Sequence, residues 1–120
     1  MMTDEGAALR ALPKLFELWQ LTDEQAAALL GVTEEIWIKL QSGDHDGLLI
    51  AADIWKRADA LCRIHAALRV ILMQPRCNNW VHRPNKASMF AGETALKFMI
   101  EGGWPAIERV RRYLDAELTS

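Results

Sequence analysis

Cysteine and histidine are scarce in this chain of 120 residues, which holds two cysteines and three histidines. Cys62 and Cys77 do not form a close pair, so the sequence excludes a disulfide scaffold and is typical of a reduced, cytoplasmic protein. Cys62 and His65 stand one helical turn apart, and Cys77 and His82 follow, but this spacing matches no zinc pattern with paired close ligands. We therefore expect no metal and no cofactor.

Long apolar runs and alternating patterns are also missing. No apolar stretch has membrane-spanning length and no segment resembles a secretory signal, so we expect no membrane partner. No run of alternating polar and apolar residues with flanking turn signals predicts a strand. The expected fold class is therefore all-α, a compact bundle of about five to six helices, since 120 residues of which 51% are hydrophobic can bury one core.

Local signatures of catalysis are absent as well. No Ser, Cys or Lys stands in a recognisable motif with a base and an orienting group. Gly102 and Gly103 follow a predicted helix rather than a strand, so they indicate a helix end and not a phosphate-binding loop. Five tryptophans in so short a chain suit a core or a partner surface. The sequence therefore favours a binding protein over an enzyme.

Charge is divided unevenly along the chain. Residues 1 to 46 hold nine acidic and three basic side chains, a balance of −6, whereas the remaining residues carry +4. A segment with a net charge of −6 is repelled by the phosphates of DNA. This asymmetry weighs against nucleic-acid binding by the N-terminal half alone.

The segment from Leu21 to Leu40 has the layout of a helix-turn-helix, and we place this unit in residues 1–47. Thr22 is a suitable N-cap for a helix over Asp23–Leu30, with Gln25 completing a capping box, and Gly31 ends that helix. Thr33 caps a second helix over Glu34–Gln41, and Ser42–Gly47 forms the loop that follows. Before this unit, apolar residues at helical spacing predict a helix that ends near Trp19, with Pro13 inside it or at the start of its second part.

In a DNA-reading helix-turn-helix the second helix enters the major groove and offers Arg, Lys, Gln, Asn or Ser. Here its first turn offers Glu34 and Glu35. A packing module is therefore the favoured interpretation, and operator binding is the alternative. In that alternative the candidate DNA contacts are Thr33, Ile38, Lys39 and Gln41.

In residues 48–120 the sequence predicts a long helix followed by a second functional unit. Neither proline nor glycine interrupts Leu48–Leu72, whose apolar residues recur at steps of four and three, so this helix is the spine of the fold or a pairing surface for a second copy. Residues 75–90 lack periodicity and predict an ordered loop. A short helix over Gly92–Glu101 follows, and a last helix begins near Pro105 and buries Ile107, Val110, Leu114 and Leu118.

Basic residues in this second unit suggest a negatively charged partner. Arg109 and Arg112 share a face of the last helix, and Arg83 and Lys86 flank Asn85. The alternative is that each of these side chains belongs to an ordinary solvated surface.

Two stretches resemble the Xre/MbcA/ParS family of antitoxins, which pair with toxins of the RES-domain class. The first, from Leu15 to Val32, is similar to the family's degenerate Xre-like helix-turn-helix. The second is more specific, and in order along the chain its residues are Trp80, Arg83, Pro84, Asn85, Phe90, Gly92, Ala95, Leu96, Met99, Gly102 and Gly103, followed by the segment from Val110 to Ala116.

The resemblance implies that the C-terminal part binds a RES-domain toxin and covers the pocket in which that toxin consumes NAD. It also implies that the N-terminal unit supports dimerisation, or a toxin–antitoxin hetero-oligomer, and binding to the operon's own promoter. The competing hypothesis is a transcriptional regulator whose main act is DNA binding. Trp80 could instead belong to the core. The candidate toxin contacts are Trp80, Arg83, Asn85, Lys86, Arg109, Arg112 and Tyr113.

Overall fold

A computed structural model describes residues 4–43 and 52–119, and in these ranges the chain is all-α, as predicted. A single isolated bridge, between Pro84 and Thr94, is the one strand-like pairing of the described residues. No helix in this part of the chain is both long and apolar enough to cross a membrane. The six α-helices are α1 (Asp4–Leu18), α2 (Asp23–Leu30), α3 (Glu34–Gln41), α4 (Ala52–Ile71), α5 (Arg76–Asn79) and α6 (Ala95–Thr119), with 3₁₀ turns at Trp80–His82 and Ser88–Phe90.

Helices α2 and α3 have the predicted bounds, and α1 ends at Leu18, next to the predicted Trp19, and continues through Pro13 as one helix. The Thr22 hydroxyl accepts the Gln25 backbone N–H at 3.1 Å, and the Gln25 side chain accepts the Thr22 N–H at 3.0 Å, which completes the predicted capping box. Gly31 ends α2 in the left-handed region with φ of 80°. Thr33 caps α3 by accepting the Ile36 N–H at 3.2 Å. Of the predicted loop Ser42–Gly47, residues 44–47 lie outside the described residues.

Helix α4 is the spine, since it packs against α1 and α6. Its buried residues include Ala58, Leu61, Ile64 and Leu68, and they belong to one hydrophobic cluster with residues of α1, α2, α3 and α6. The predicted start of this helix, residues 48–51, lies outside the described residues. Because both parts of the chain contribute to one core, the N-terminal helices and the C-terminal segment are held in a common frame.

The prediction of a loop over residues 75–90 is wrong in detail, because this segment forms α5 and both 3₁₀ turns. Each is a single turn, too short to show a helical period in the sequence. Cys77, Val81 and Phe90 are buried and attach the segment to the core.

Helix α6 begins at Ala95 and not at the predicted Gly92, because Thr94 caps it by accepting the Lys97 N–H at 3.1 Å. The predicted break at Gly102 and Gly103 is a kink within α6, where Gly103 has φ of 68° and ψ of −151°. Ile107, Val110 and Leu114 are buried as predicted, but Leu118 is exposed. The buried face of α6 ends at Leu114, so the last turn extends beyond the core.

Candidate partner-binding surface

Phe90 is the centre of an aromatic cluster that joins the segment before α6 to α6 itself. Its buried ring meets three others edge to face, with centroid distances of 6.0 Å to Trp80, 5.3 Å to Phe98 and 5.9 Å to Tyr113. This geometry is the favourable one for aromatic pairs. Trp80, Phe98 and Tyr113 are only half-buried, so the rim of the cluster reaches solvent.

Asn85 holds the segment between Trp80 and α6 in place. Its backbone N–H donates to the Glu93 carbonyl oxygen at 3.1 Å, and its side-chain Oδ1 accepts the Ala87 N–H at 2.9 Å. The bridge between Pro84 and Thr94 pairs the chain beside it. The side-chain oxygen of Asn85 is therefore already hydrogen-bonded within the chain. Asn85 positions its neighbours rather than offering Oδ1 to a partner.

Arg83 and Lys86 border an open depression of about 400 Å³, which is also lined by Trp80, Pro84 and Asn85. Both cations are exposed, and neither forms an ion pair with a side chain that the structure describes. Two uncompensated positive charges beside an indole favour an anionic group on a partner. We call Trp80, Arg83, Lys86, Arg109 and Tyr113 the docking surface.

The arginines of α6 differ in how available they are. The guanidinium carbon of exposed Arg109 lies 5.4 Å from the Phe98 ring centroid, which places a cation on the aromatic cluster. Arg112 instead donates from Nε to Glu108 Oε1 at 3.1 Å. Arg111 bridges Glu108 at 2.6 Å and Asp115 at 2.7 Å. Of the two predicted contacts on α6, Arg109 is therefore available to a partner, whereas Arg112 is already paired with Glu108.

The charges around Glu108 stabilise one another. Hydrogen bonding from Arg111, with smaller contributions from its charge and from Arg112, lowers the pKa of Glu108 despite some desolvation. The hydrogen bond to Glu108 likewise raises the pKa of Arg111. These three side chains are therefore a local ion-pair network on α6.

Most of the predicted contacts of the C-terminal unit come together in space. Trp80 and Tyr113 touch the same Phe90 ring, Arg109 lies over the Phe98 ring beside it, and Arg83 and Lys86 line the same depression as Trp80. Sequence reasoning missed Phe98 and Glu108. The spacing of Glu108 and Arg112, four residues apart on a helix, is a signal that could have identified that pair in advance.

The candidate DNA contacts lie on an acidic surface. The Thr33 hydroxyl serves as the N-cap of α3, and Lys39 is 4.0 Å from Glu35 in an exposed ion pair. Ile38 and Gln41 are exposed, as are Glu34 and Glu35. The exposed face of α3 therefore presents carboxylates where a DNA reader presents donors.

Cys62, Cys77 and His65 have other partners within the described chain. The Cys62 thiol donates to the Ala8 carbonyl oxygen at 3.6 Å, and burial, with a smaller contribution from Asp59, raises its pKa to about 11. His65 Nδ1 accepts the indole N–H of Trp19 at 3.1 Å, and Cys77 is buried beside Asn78. In the part of the chain that the structure describes, no three His, Cys, Asp or Glu residues cluster as metal ligands.

Sequence comparison finds similarity over nearly the whole chain. The chain is 32% identical over 113 residues to the uncharacterized protein y4oB of Sinorhizobium fredii (strain NBRC 101917 / NGR234), and the alignment covers 92% of this chain and 84% of that protein. No protein-family model matches the chain, and no solved structure matches it.

Proposed function

The chain belongs to the family of the S. fredii protein y4oB, and from that premise and the docking surface we propose that it is an antitoxin. It has no catalysis of its own in this proposal. It acts in the cytoplasm, where it neutralises a RES-domain toxin by covering the pocket in which that toxin consumes NAD. The resemblance to the Xre/MbcA/ParS antitoxins supports the partner class, and the exposed cations and half-buried aromatic rings of the docking surface support a protein contact there.

The observation that carries the proposal is the pair of uncompensated cations, Arg83 and Lys86, beside the half-exposed Trp80. Tryptophan, tyrosine and arginine are the residue types that contribute most to protein–protein binding, and they do so when they are held rigidly. Phe90 restrains Trp80 and Tyr113, and Asn85 restrains the backbone between them. The docking surface is thus ordered before a partner arrives, which lowers the entropic cost of binding.

The roles within this surface differ. Trp80 and Tyr113 supply apolar contact area, while Arg83, Lys86 and Arg109 meet carboxylates on the toxin. Asn85 supports the contact from within the chain. Arg112 contributes less, because releasing it breaks its hydrogen bond to Glu108.

The test is whether the adjacent reading frame encodes a RES-class protein and whether this chain captures it. The exposed pair is reversed in the double variant Arg83→Glu/Lys86→Glu, which we expect to raise the dissociation constant at least about tenfold and to abolish rescue of growth on co-expression. The matched control is Lys56→Glu/Arg76→Glu, an equal charge change at exposed cations that lie outside the docking surface and form no ion pair with a side chain that the structure describes. Unchanged capture by the first variant, or no capture by the unmodified chain, overturns the proposal.

A second candidate function, DNA-binding transcriptional regulation, is favoured by the capped pair α2 and α3 around the left-handed Gly31. The carboxylates of Glu34 and Glu35 on α3 oppose it. A salt-sensitive gel shift of the promoter by the chain alone supports this candidate. A shift that appears only after the toxin is added supports a joint role for the complex.

A further inference from the structure

A second surface, separate from the docking surface, is the groove between α1 and α4. It has a volume of about 310 Å³, and its lining includes the apolar or small side chains of Leu15, Leu18, Cys62 and Ala66. Lys14 on α1 and Arg69 on α4 are the two lining residues with a full charge at neutral pH. We call this the α1–α4 groove.

The charge of the groove is uncompensated within the described chain. Lys14 and Arg69 are both exposed, and neither forms an ion pair with a side chain that the structure describes. Val70, four residues after Ala66 on α4, is 75% exposed, and Met73 just beyond the helix is 84% exposed. An exposed apolar side chain such as Val70, on the helix that forms one wall of an apolar groove, favours coverage of that surface by another molecule.

The exposed face of α3 has the opposite character. Trp37 and Leu40 anchor this helix in its own core, so α3 stays attached to its own chain. Its outer face presents Ile38, which is 52% exposed, one helical turn after the exposed Glu34 and Glu35. Lys39 on this face pairs with Glu35 and leaves a net negative charge. Two complementary surfaces, one basic and apolar and one acidic and apolar, thus occur on the same molecule.

We propose that α3 of a second copy of this chain docks in the α1–α4 groove. Ile38 packs on the apolar floor, and Glu34 and Glu35 meet Lys14 and Arg69, in the manner of an amphipathic helix in a groove. In the proposed assembly the contact occurs twice, related by a two-fold axis, so that it closes as a dimer and does not propagate as a filament. In this dimer the carboxylates of Glu34 and Glu35, which oppose DNA binding by α3, make protein contacts. This inference does not depend on the toxin.

Charge reversal provides a sharp test. In the groove variant Lys14→Glu/Arg69→Glu, and likewise in the helix variant Glu34→Lys/Glu35→Lys, like charges face each other across both contacts of a homodimer. When the two variants are mixed in equal amounts, both contacts again join opposite charges. Sedimentation velocity from about 1 μM to about 1 mM covers the affinities of interest. We expect each variant alone to dimerise at least about tenfold more weakly than the unmodified chain, and the mixture to form a one-to-one dimer.

The control variant Lys56→Glu/Arg76→Glu changes exposed, unpaired cations of the described chain by the same amount outside the α1–α4 groove, and we expect it to dimerise like the unmodified chain. Circular dichroism checks that all variants keep their helices. An unmodified chain that stays monomeric, reversed variants that dimerise normally, or a mixture that does not recover dimers overturns the inference. Toxin capture by the groove variant is a separate reading, because Lys14 and Arg69 lie outside the docking surface.

Discussion

The guanidinium of Arg57 joins α4 to the end of α2, because its Nη1 donates to the Leu29 carbonyl oxygen at 3.2 Å. Its Nε also donates to Asp53 at 2.9 Å, and the Arg57 side chain is only 14% exposed. Gly31 lies against it, and a Cβ added at Gly31 would stand 2.7 Å from Arg57 Nη1. The turn of the N-terminal unit is thus packed against the spine of the fold.

We predict that Gly31→Ala lowers the free energy of unfolding by about 2 to 3 kcal/mol. The left-handed backbone costs a residue with a Cβ roughly 1 to 2 kcal/mol, and loss of the hydrogen bond from Arg57 adds about 1 kcal/mol. Gly43→Ala is the matched control, because Gly43 also has positive φ but open space around it. Urea denaturation of both variants measures the difference, and equal losses would contradict the role given to Arg57.

We predict that the free energy of unfolding decreases in acid because His65 becomes protonated. Burial, with a smaller contribution from the charge of Arg69, lowers the pKa of His65 below its ordinary value of 6.5. The unfolded chain then takes up this proton at a higher pH than the folded chain does. The contribution of neutral His65 to stability is fully present above pH 6.5 and is lost as pH falls through the lowered pKa.

Protonation of His65 also removes its hydrogen bond to Trp19, since a protonated Nδ1 no longer accepts the indole N–H. Urea midpoints measured between about pH 8 and pH 5 test this prediction. His65→Gln, which does not titrate, is expected to show a shallower decline than the unmodified chain. Identical slopes would mean that the decline comes from other groups.

We predict that Asn85→Ala loosens the segment before α6 without unfolding the protein. The variant removes the oxygen that accepts the Ala87 N–H, which is worth about 1 kcal/mol and hence roughly fivefold in amide exchange. Hydrogen exchange at the Ala87 amide is the measurement. Asn85→Asp keeps an acceptor oxygen and is expected to retain the protection. Faster exchange in both variants, or in neither, would contradict the role of Oδ1.

Several features of the fold could be predicted because their causes are local. The bounds of α2 and α3 follow from Thr22 and Thr33, whose hydroxyls bond to backbone groups three residues away. Exposed Leu118 was predicted to be buried because it continues the apolar spacing of α6, and only packing shows where that face ends. The part played by Phe98 was missed because its partners, Phe90 and Arg109, lie on other turns or segments.

By itself, the sequence determined the all-α class, the caps and turns of the first helices and the glycine break in α6. Only the tertiary structure decided that Arg109 is open while Arg112 is paired, that Asn85 positions its neighbours, and that a basic groove runs between α1 and α4. Caps and turns depend on atoms a few residues apart, whereas grooves and aromatic contacts depend on which helices meet, and that is settled by packing of the whole core.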